Sequence, residues 1–263
     1  YLQDNLQEAD VLFKELLIGV TAFFRDTEAF KTLEDTIFPS ILKSSQTGST
    51  LRIWVPACSS GEEVYSLAIL LTECQKKMKT HFTVQIFGTD LDIHSIDIAR
   101  AGWYPNGIAA DVSPERLKNY FTKEDSSYRI SKSIREMVIF APQNVIKDPP
   151  FTKLDFISCR NLLIYLEQDL QKKLLSVFHY SLKPSGYLFL GNSESLGASA
   201  HLFKPIDKKW KIYSRKLVQP LLPAGGYFDI FTSKIDKRFY QDTSTGKDSK
   251  TQMPFTDIQV LME

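Results

Sequence analysis

The chain has 263 residues, enough for one large domain or for a domain with appendages. Its hydrophobic content of 43% and charged content of 24% are typical of a soluble globular protein. A formal net charge of +1 provides no overall basic field, so a nucleic-acid partner is not expected. No apolar run approaches the roughly 20 residues of a membrane-spanning helix, so membrane insertion is not expected either.

Cysteine and histidine usage argues against a disulfide framework and against a metal site. The three cysteines, Cys58, Cys74 and Cys159, are odd in number and lie in apolar contexts, which is typical of reduced thiols. No spacing of cysteines and the four histidines matches a zinc site. We therefore predict a cytoplasmic protein with no resident metal.

Helical spacing of apolar residues alternates with short buried runs along the chain. The predicted helices are 6–18, a stretch after Asp26 through Leu42, Glu62–Met78, Ile93–Trp103, Ser113–Phe121 and Gln168–Leu182. The predicted strands are Leu51–Ala57, His81–Asp90, Tyr128–Ile130, Glu136–Pro142, Leu154–Cys159, Tyr187–Gly191 and Lys209–Arg215. This order predicts an α/β protein whose sheet is mostly parallel, with helices on both faces.

Three segments depart from simple alternation of strand and helix. In the middle of the chain we predict two short strands inserted between the main strands. They follow a helix that Ser113 caps and Pro114 begins. Lys183–Gly186 is predicted to be a turn, and Lys209–Arg215 alternates as an edge strand would. From Val218 onward the composition predicts a linker or a docked tail.

The segment from Leu51 to Ser66, LRIWVPACSSGEEVYS, predicts a strand, a tight loop and the start of a helix. This arrangement presents backbone N–H groups to a ligand at the carboxyl edge of an α/β sheet. The loop has one glycine instead of G-x-G-x-x-G, and two acids, Glu62 and Glu63, follow it. An acidic loop of this kind favours a hydroxyl-rich or cationic ligand over a pyrophosphate.

Polar residues follow each predicted main strand, where ligands bind in open α/β sheets. They are Ala57 to Glu63 after the first strand, Asp90 after the second, Asn144 after the third and Cys159-Arg160-Asn161 after the fourth. Asp90 is placed to bind two ribose hydroxyls, although Asp90 or Asp92 could instead cap the next helix. Glu62 and Glu63 could instead be acids of the first helical turn that interact favourably with the helix dipole. Tyr165 could instead be a half-buried core residue.

The run TAFFRD (Thr21–Asp26) places two phenylalanines beside an arginine. It could be an aromatic lid that carries a fixed cation over the pocket. It could equally be a corner of the core from which Arg25 extends into solvent. The residues alone do not favour either interpretation.

The combination of TAFFRD, CSSGEEVYS, TDLD, QNV, CRNLLIYL and FLGNSES resembles the CheR family of chemotaxis receptor glutamate methyltransferases, from about Leu16 to Lys216. The similarity is greatest to the methyltransferase module of hybrid proteins that also contain a methylesterase and sensory domains. It implies a Rossmann-like class I S-adenosylmethionine-dependent methyltransferase sheet with a small inserted antiparallel β-subdomain. The implied domains are a truncated N-terminal helical segment at 1–45, a methyltransferase domain at 46–217 with the insertion at about 111–140, and a linker or tail at 218–263.

The resemblance also implies the cofactor and the site. S-adenosylmethionine would be the methyl donor, with S-adenosylhomocysteine as product and a receptor glutamate as acceptor. The implied cofactor-binding residues are Thr21, Arg25, Ala57, Glu62 or Glu63 (with Glu63 favoured), Asp90, Asn144, Val145, Arg160 and Asn161. Arg25, Arg160 and Tyr165 are the implied catalytic residues near the reacting centre.

The sequence departs from the family's pattern at two places that concern binding. Gly19 stands where the family often has asparagine, so that contact would be lost or made by backbone. The segment Thr122–Ile130, TKEDSSYRI, is short and has no glycine, unlike the longer glycine-rich loop of members that bind a receptor tether peptide. We therefore expect that this protein does not bind the tether pentapeptide.

Two other functions are compatible with the same residues. One is a methyltransferase that acts on a different acceptor, because the fold alone does not identify the acceptor. The other is a non-catalytic module that senses the cofactor within a multidomain signalling protein. The presence of Arg25, Arg160 and Tyr165 together argues against the non-catalytic module.

Overall fold

The computed structural model describes residues 21–46 and 48–218, which belong to one structural unit. The helix predicted over 6–18, Gly19, and the predicted tail beyond Val218 lie outside the described residues. None of the helices in the described part of the chain is long and apolar enough to cross a membrane.

Strands and helices follow one another in the predicted order. The strands are β1 Thr50–Pro56, β2 Thr83–Asp90, β3 Trp103–Pro105, β4 Phe121–Glu124, β5 Ser127–Ile130, β6 Val138–Pro142, β7 Leu154–Cys159, β8 Leu182–Leu190, β9 Phe203–Asp207 and β10 Ile212–Arg215. The α-helices are α1 Thr27–Thr32, α2 Phe38–Ser44, α3 Glu62–Met78, α4 Ile93–Ala101, α5 Pro114–Tyr120, α6 Lys132–Arg135 and α7 Gln168–Ser181. A π-helical turn, Leu33–Ile37, joins α1 to α2, and 3-10 turns cover Asn106–Ala110, Leu163–Tyr165 and Gly197–Leu202.

The main sheet has seven strands in the order β6-β2-β1-β7-β8-β10-β9. The first five strands are parallel to one another, whereas β10 is antiparallel to both of its neighbours, β8 and β9. Residues of β1 alternate between two hydrophobic clusters, since Ile53 and Val55 belong to one and Trp54 to the other. Helix α3 packs in the first cluster and α7 in the second, which confirms a mostly parallel sheet with helices on both faces.

One prediction for the last part of the sheet was wrong. Lys183–Gly186 falls within the limits of β8, but Leu182 and Tyr187 pair with Leu154 and Phe156, so the residues between them leave the ladder. A Cβ on Gly186 would lie 3.1 Å from the Cβ of Leu182, four residues earlier, so the chain turns here as predicted. A Cβ on Gly186 would lie 3.0 Å from the carbonyl oxygen of Leu154, so glycine here permits a close approach of strands. Strand β10 lies between β8 and β9, and the edge strand is β9, whose mostly exposed residues do not alternate.

The small antiparallel sheet has the order β3-β5-β4. It spans Trp103 to Ile130, somewhat earlier than the expected 111–140, because β6 pairs in parallel with β2 and belongs to the main sheet. Ser113 caps α5 as predicted, by accepting a hydrogen bond from the N–H of Arg116. The small sheet is joined to the loop after β1 by the Tyr104 hydroxyl, which donates to the carbonyl oxygen of Ser60 at 2.7 Å.

Gly88 in β2 allows the ring of Phe140 on β6 to lie against the strand. A Cβ at position 88 would be 2.6 and 2.7 Å from two ring carbons of Phe140, closer than side chains approach. We expect Gly88→Ala to lower the free energy of unfolding by about 1–3 kcal/mol, the usual cost of overpacking. Urea denaturation followed by circular dichroism measures this change.

Gly107 provides the matched control for this substitution. It is exposed, and a Cβ there would meet nothing within 4 Å. We expect Gly107→Ala to leave the free energy of unfolding nearly unchanged. Equal effects of the two substitutions would contradict the packing argument.

Candidate functional site

The loop after β1 is a tight turn built from small residues in an unusual backbone conformation. Ala57, Ser59 and Gly61 have φ angles of 53°, 48° and 90°, all in the left-handed region. Two of these are not glycine, and left-handed residues of this kind cost about 1 kcal/mol or more each. The N–H of Ser59 points to the end of the next strand, where it donates to Asp90 Oδ2 at 2.8 Å.

Asp90 closes β2 and connects two strand ends. Its Oδ1 accepts the N–H of Asp92 at 3.0 Å, while its Oδ2 accepts the N–H of Ser59. Asp92, and not Asp90, caps helix α4, by accepting from the N–H groups of His94 and Ser95. The capping alternative for Asp90 is therefore wrong, and its half-buried carboxylate lies at the carboxyl edge of the sheet.

The two adjacent glutamates at the start of α3 have different partners. Glu63 accepts from the Ser158 hydroxyl at 2.6 Å and from an Arg160 nitrogen at 2.9 Å, so it connects the first loop to β7. Glu62 accepts only from Ser60, within its own loop, among the hydrogen bonds found for the described residues. Burial raises the pKa of Glu62, and the hydrogen bond from Ser60 offsets part of that rise.

Arg160, directly after β7, is a buried cation with partners on opposite sides. Its side chain is 2% exposed and forms ion pairs with Glu63 and with Asp26. The guanidinium carbon also lies 4.8 Å from the ring centroid of Phe189. Its Nε is buried and has no hydrogen-bond partner among the described residues.

The TAFFRD run is a corner of the core, which decides between the two alternatives for its aromatic residues. Phe23 and Phe24 are 2% and 3% exposed, whereas Arg25 is exposed. The N–H of Phe24 donates to the Ser66 hydroxyl on α3 at 3.0 Å. The guanidinium of Arg116 covers the Phe24 ring at 4.2 Å. The aromatic rings are thus anchored, and they present Arg25 and Asp26 at fixed positions.

Four other predicted site residues, Thr21, Ala57, Asn144 and Val145, make no hydrogen bond to this cluster among those found for the described residues. Asn144 Oδ1 accepts from Ile146 and Lys147 within its own turn, and Val145 packs against the cluster that contains Trp54. Thr21 is half-buried and Ala57 is exposed.

Asn161 and Tyr165 come after Arg160 in the segment that follows β7. Tyr165 is 57% exposed, so the alternative of a half-buried core residue is wrong. Asn161 has a left-handed backbone with φ of 60°. The exposed side chain of Tyr165 and the buried cation of Arg160 thus come from one short segment.

Sequence reasoning missed three residues that build this edge. Asp26 and Ser158 are partners of the network already described. Glu194, 3% exposed, accepts from the N–H groups of Leu163 at 2.7 Å and Gly191 at 2.6 Å. It therefore fastens the loop after β7 to the loop after β8. The motif FLGNSES could have indicated Glu194, because this acid closely follows a buried strand.

Backbone strain is concentrated in the segments that form this site. The described residues include nine non-glycine residues with positive φ. Five of them lie in the TAFFRD segment, in the loop after β1 and directly after Arg160, namely Phe24, Asp26, Ala57, Ser59 and Asn161. Strained backbone clusters at functional sites, where the surrounding structure must hold it in place.

The comparison with protein families identifies the fold. Residues 19–212 match the family model described as the CheR methyltransferase, SAM binding domain. The chain belongs to the CheR methyltransferase family. It is therefore an S-adenosylmethionine-dependent methyltransferase with a class I methyltransferase fold, and its cofactor is S-adenosylmethionine.

Curated relatives agree with the family assignment. The chain is 39% identical over 181 residues to chemotaxis protein methyltransferase 1 of Pseudomonas aeruginosa, covering 67% of this chain and 66% of that protein. It is 35% identical over 190 residues to chemotaxis protein methyltransferase 1 of Vibrio cholerae, covering 71% of this chain and 68% of that protein. It is also 38% identical over 212 residues to the "uncharacterized 104.1 kDa protein in hypE 3′region" of Rhodobacter capsulatus, covering 81% of this chain and 22% of that larger protein.

The raised pKa of Glu62 gives a prediction about stability. Because the folded state holds this proton more tightly than the unfolded state, stability falls as pH rises from near 4.5 through the higher folded pKa. We expect Glu62→Gln to raise the free energy of unfolding at neutral pH, by about 1.4 kcal/mol per unit of raised pKa. The gain should disappear below the ordinary glutamate pKa. Thermal unfolding between pH 4 and 8 measures it.

Glu115 is the matched control, since it is an exposed acid in the first turn of α5. Glu115→Gln removes a similar interaction with a helix dipole but no buried charge. If Glu62→Gln is no more stabilising at neutral pH than Glu115→Gln, burial does not raise the pKa of Glu62.

Proposed function

We propose that this protein transfers the methyl group of S-adenosylmethionine to glutamate side chains of methyl-accepting chemotaxis receptors or similar signalling proteins. The products are glutamate methyl esters and S-adenosylhomocysteine. The observation that supports this proposal most strongly is the polar sheet edge of Asp90, Glu63 and Arg160 in a chain of the CheR family. The chemotaxis relatives support a receptor as the acceptor.

The polar groups at the edge fit the cofactor. Each carboxylate oxygen of Asp90 accepts one backbone N–H, and an oxygen with two lone pairs can accept a further bond from a ribose hydroxyl. We propose that the guanidinium of Arg160 also contacts the cofactor; its Nε is buried and has no hydrogen-bond partner among the described residues. We propose that Thr21, Arg25, Ala57 and Asn161 line the same site. Asn144 and Val145 would meet the adenine.

The charge at the edge also fits a cation. Asp26 and Glu63 share the guanidinium of Arg160, and Asp90 adds a third carboxylate. Even with the guanidinium of Arg25 counted, carboxylates outnumber guanidiniums by three to two. When bound, S-adenosylmethionine supplies a methyl group on a positively charged sulfur. We favour Glu63 over Glu62 as the cofactor-binding glutamate because Glu63 contacts Arg160, whereas Glu62 is bonded to its own loop.

The reaction requires the chain to position its substrates more than to move protons. A glutamate side chain has an ordinary pKa of about 4.3, so the acceptor is ionised near neutral pH and needs no strong general base. The chain must align and dehydrate the carboxylate. A tight ion pair with Arg25 would stabilise the ground state more than the transition state, so we assign Arg25 to orientation. Tyr165 would donate an orienting hydrogen bond.

The small sheet supports the expectation that no tether pentapeptide binds. Strands β4 and β5 are joined by only Asp125 and Ser126, with Asp125 left-handed at φ of 47°. This hairpin has no extended loop against which a peptide could lie. We also propose that the protein acts in the cytoplasm, where receptor signalling domains are accessible.

A labelled-donor assay tests the proposed function. The protein would be incubated with methyl-labelled S-adenosylmethionine and candidate receptor fragments, and the product treated with base. We expect label to be released as volatile methanol, because base hydrolyses a carboxyl methyl ester. Label that stays on the protein after base treatment would indicate a different acceptor group. Cofactor binding without any transfer would favour a non-catalytic sensing module.

Tyr165 gives a test of the catalytic assignment. We expect Tyr165→Phe to retain cofactor affinity and stability, since the side chain is 57% exposed. Turnover should fall by about tenfold to a hundredfold, as expected for a lost hydrogen bond to a charged group. Calorimetry with S-adenosylhomocysteine and initial-rate assays measure the two effects. Tyr180→Phe, at an exposed tyrosine on α7, is the control. Loss of cofactor binding in Tyr165→Phe would contradict the assignment.

A further inference from the structure

Asp26 precedes helix α1 but does not cap it. Aspartate at this position ordinarily accepts a hydrogen bond from an N–H group of the first turn, which is worth about 1 kcal/mol. The Asp26 side chain makes no such bond. Its backbone is left-handed, with φ of 64°, a conformation that costs a non-glycine residue about 1 kcal/mol or more. Asp26 therefore lacks the usual capping hydrogen bond and also has an unfavourable backbone conformation.

The Asp26 carboxylate is instead bonded to Arg160, 134 residues further along the chain. In the described part of the chain, Asp26 and Glu63 are the ion-pair partners of Arg160. Glu63 approaches from α3, whereas Asp26 approaches from the TAFFRD segment. Phe30 on α1 adds a ring centroid 5.9 Å from the same guanidinium. Arg160 is therefore held between two separate parts of the fold.

We propose that Asp26 is a positioning residue that fixes the guanidinium of Arg160 for binding of S-adenosylmethionine. This rests on the cofactor role proposed above for Arg160. A residue selected only for local stability would cap α1 and avoid the left-handed region, whereas departures from local rules concentrate at functional sites. Asp26 also fastens the exposed Arg25 to the cofactor edge, because the two residues are adjacent.

Two substitutions at Asp26 separate positioning from folding. Asparagine retains an acceptor oxygen and tolerates the left-handed backbone, and glycine adopts that backbone without strain but has no acceptor. We expect Asp26→Asn to weaken binding of S-adenosylmethionine and of S-adenosylhomocysteine by about tenfold, and Asp26→Gly by up to about a hundredfold. Calorimetry measures the affinities, and thermal unfolding verifies that each variant is folded at the assay temperature.

Asp97→Asn is the matched control, because Asp97 forms an exposed ion pair with Arg100 on α4. An exposed pair of this kind contributes little, so cofactor affinity should not change. Affinities within about twofold of the parent for both Asp26 variants would overturn the proposal and leave Asp26 a structural role only. An equal loss in Asp97→Asn would overturn it as well.

A double substitution tests whether Asp26 acts through Arg160. In an Arg160→Lys background, the further loss caused by Asp26→Asn should be much smaller than in the parent, because interacting residues give non-additive effects. Fully additive losses would show that Asp26 acts independently and would contradict the proposal. These measurements need no acceptor protein, so a failure of receptor methylation is distinguishable from a failure of this inference.

Discussion

The buried guanidinium of Arg160 is the constraint on which the rest of the site depends. A buried charge is costly unless it is paired and hydrogen-bonded, and removing one partner of such a pair typically costs about 3–5 kcal/mol. The fold meets this requirement by bringing carboxylates from two distant segments, Asp26 and Glu63, to one side chain. The position of the TAFFRD segment over the sheet therefore depends on the same interaction that orders the end of β7.

Polar contacts connect neighbouring strand ends along the same edge. The Ser59 N–H joins the loop after β1 to Asp90 after β2, Ser158 joins Glu63 to β7, and Glu194 joins the loops after β7 and β8. The bonds from the N–H groups of Ser59, Leu163 and Gly191 satisfy backbone donors that the turns leave without a strand partner. The bond from Ser59 also holds a left-handed residue in place. The site is preorganised by its neighbours, which is what a reaction that depends on alignment requires.

Parts of the fold with a strong local signal were predicted closely, and parts that depend on distant pairing were not. Helix α3 and strand β7 have the predicted limits, Glu62–Met78 and Leu154–Cys159, because apolar spacing and flanking loop residues mark both ends. Strand β10 was predicted to be an edge strand because a sequence does not show that β9 pairs with it on the side away from β8. Strand β9 escaped detection since an edge strand with mostly exposed residues has little hydrophobic pattern.

The sequence by itself determined the α/β class, the family and the residue types at the carboxyl edge, because these follow from local pattern and motif. Only the tertiary structure decided which acid pairs with which hydrogen-bond donor. Glu62 and Glu63 are adjacent, yet successive helical side chains point about 100° apart, so only Glu63 reaches Arg160 while Glu62 is bonded to Ser60. The role of Asp26 is likewise invisible in sequence, since its partner lies 134 residues away and meets it only in the folded chain.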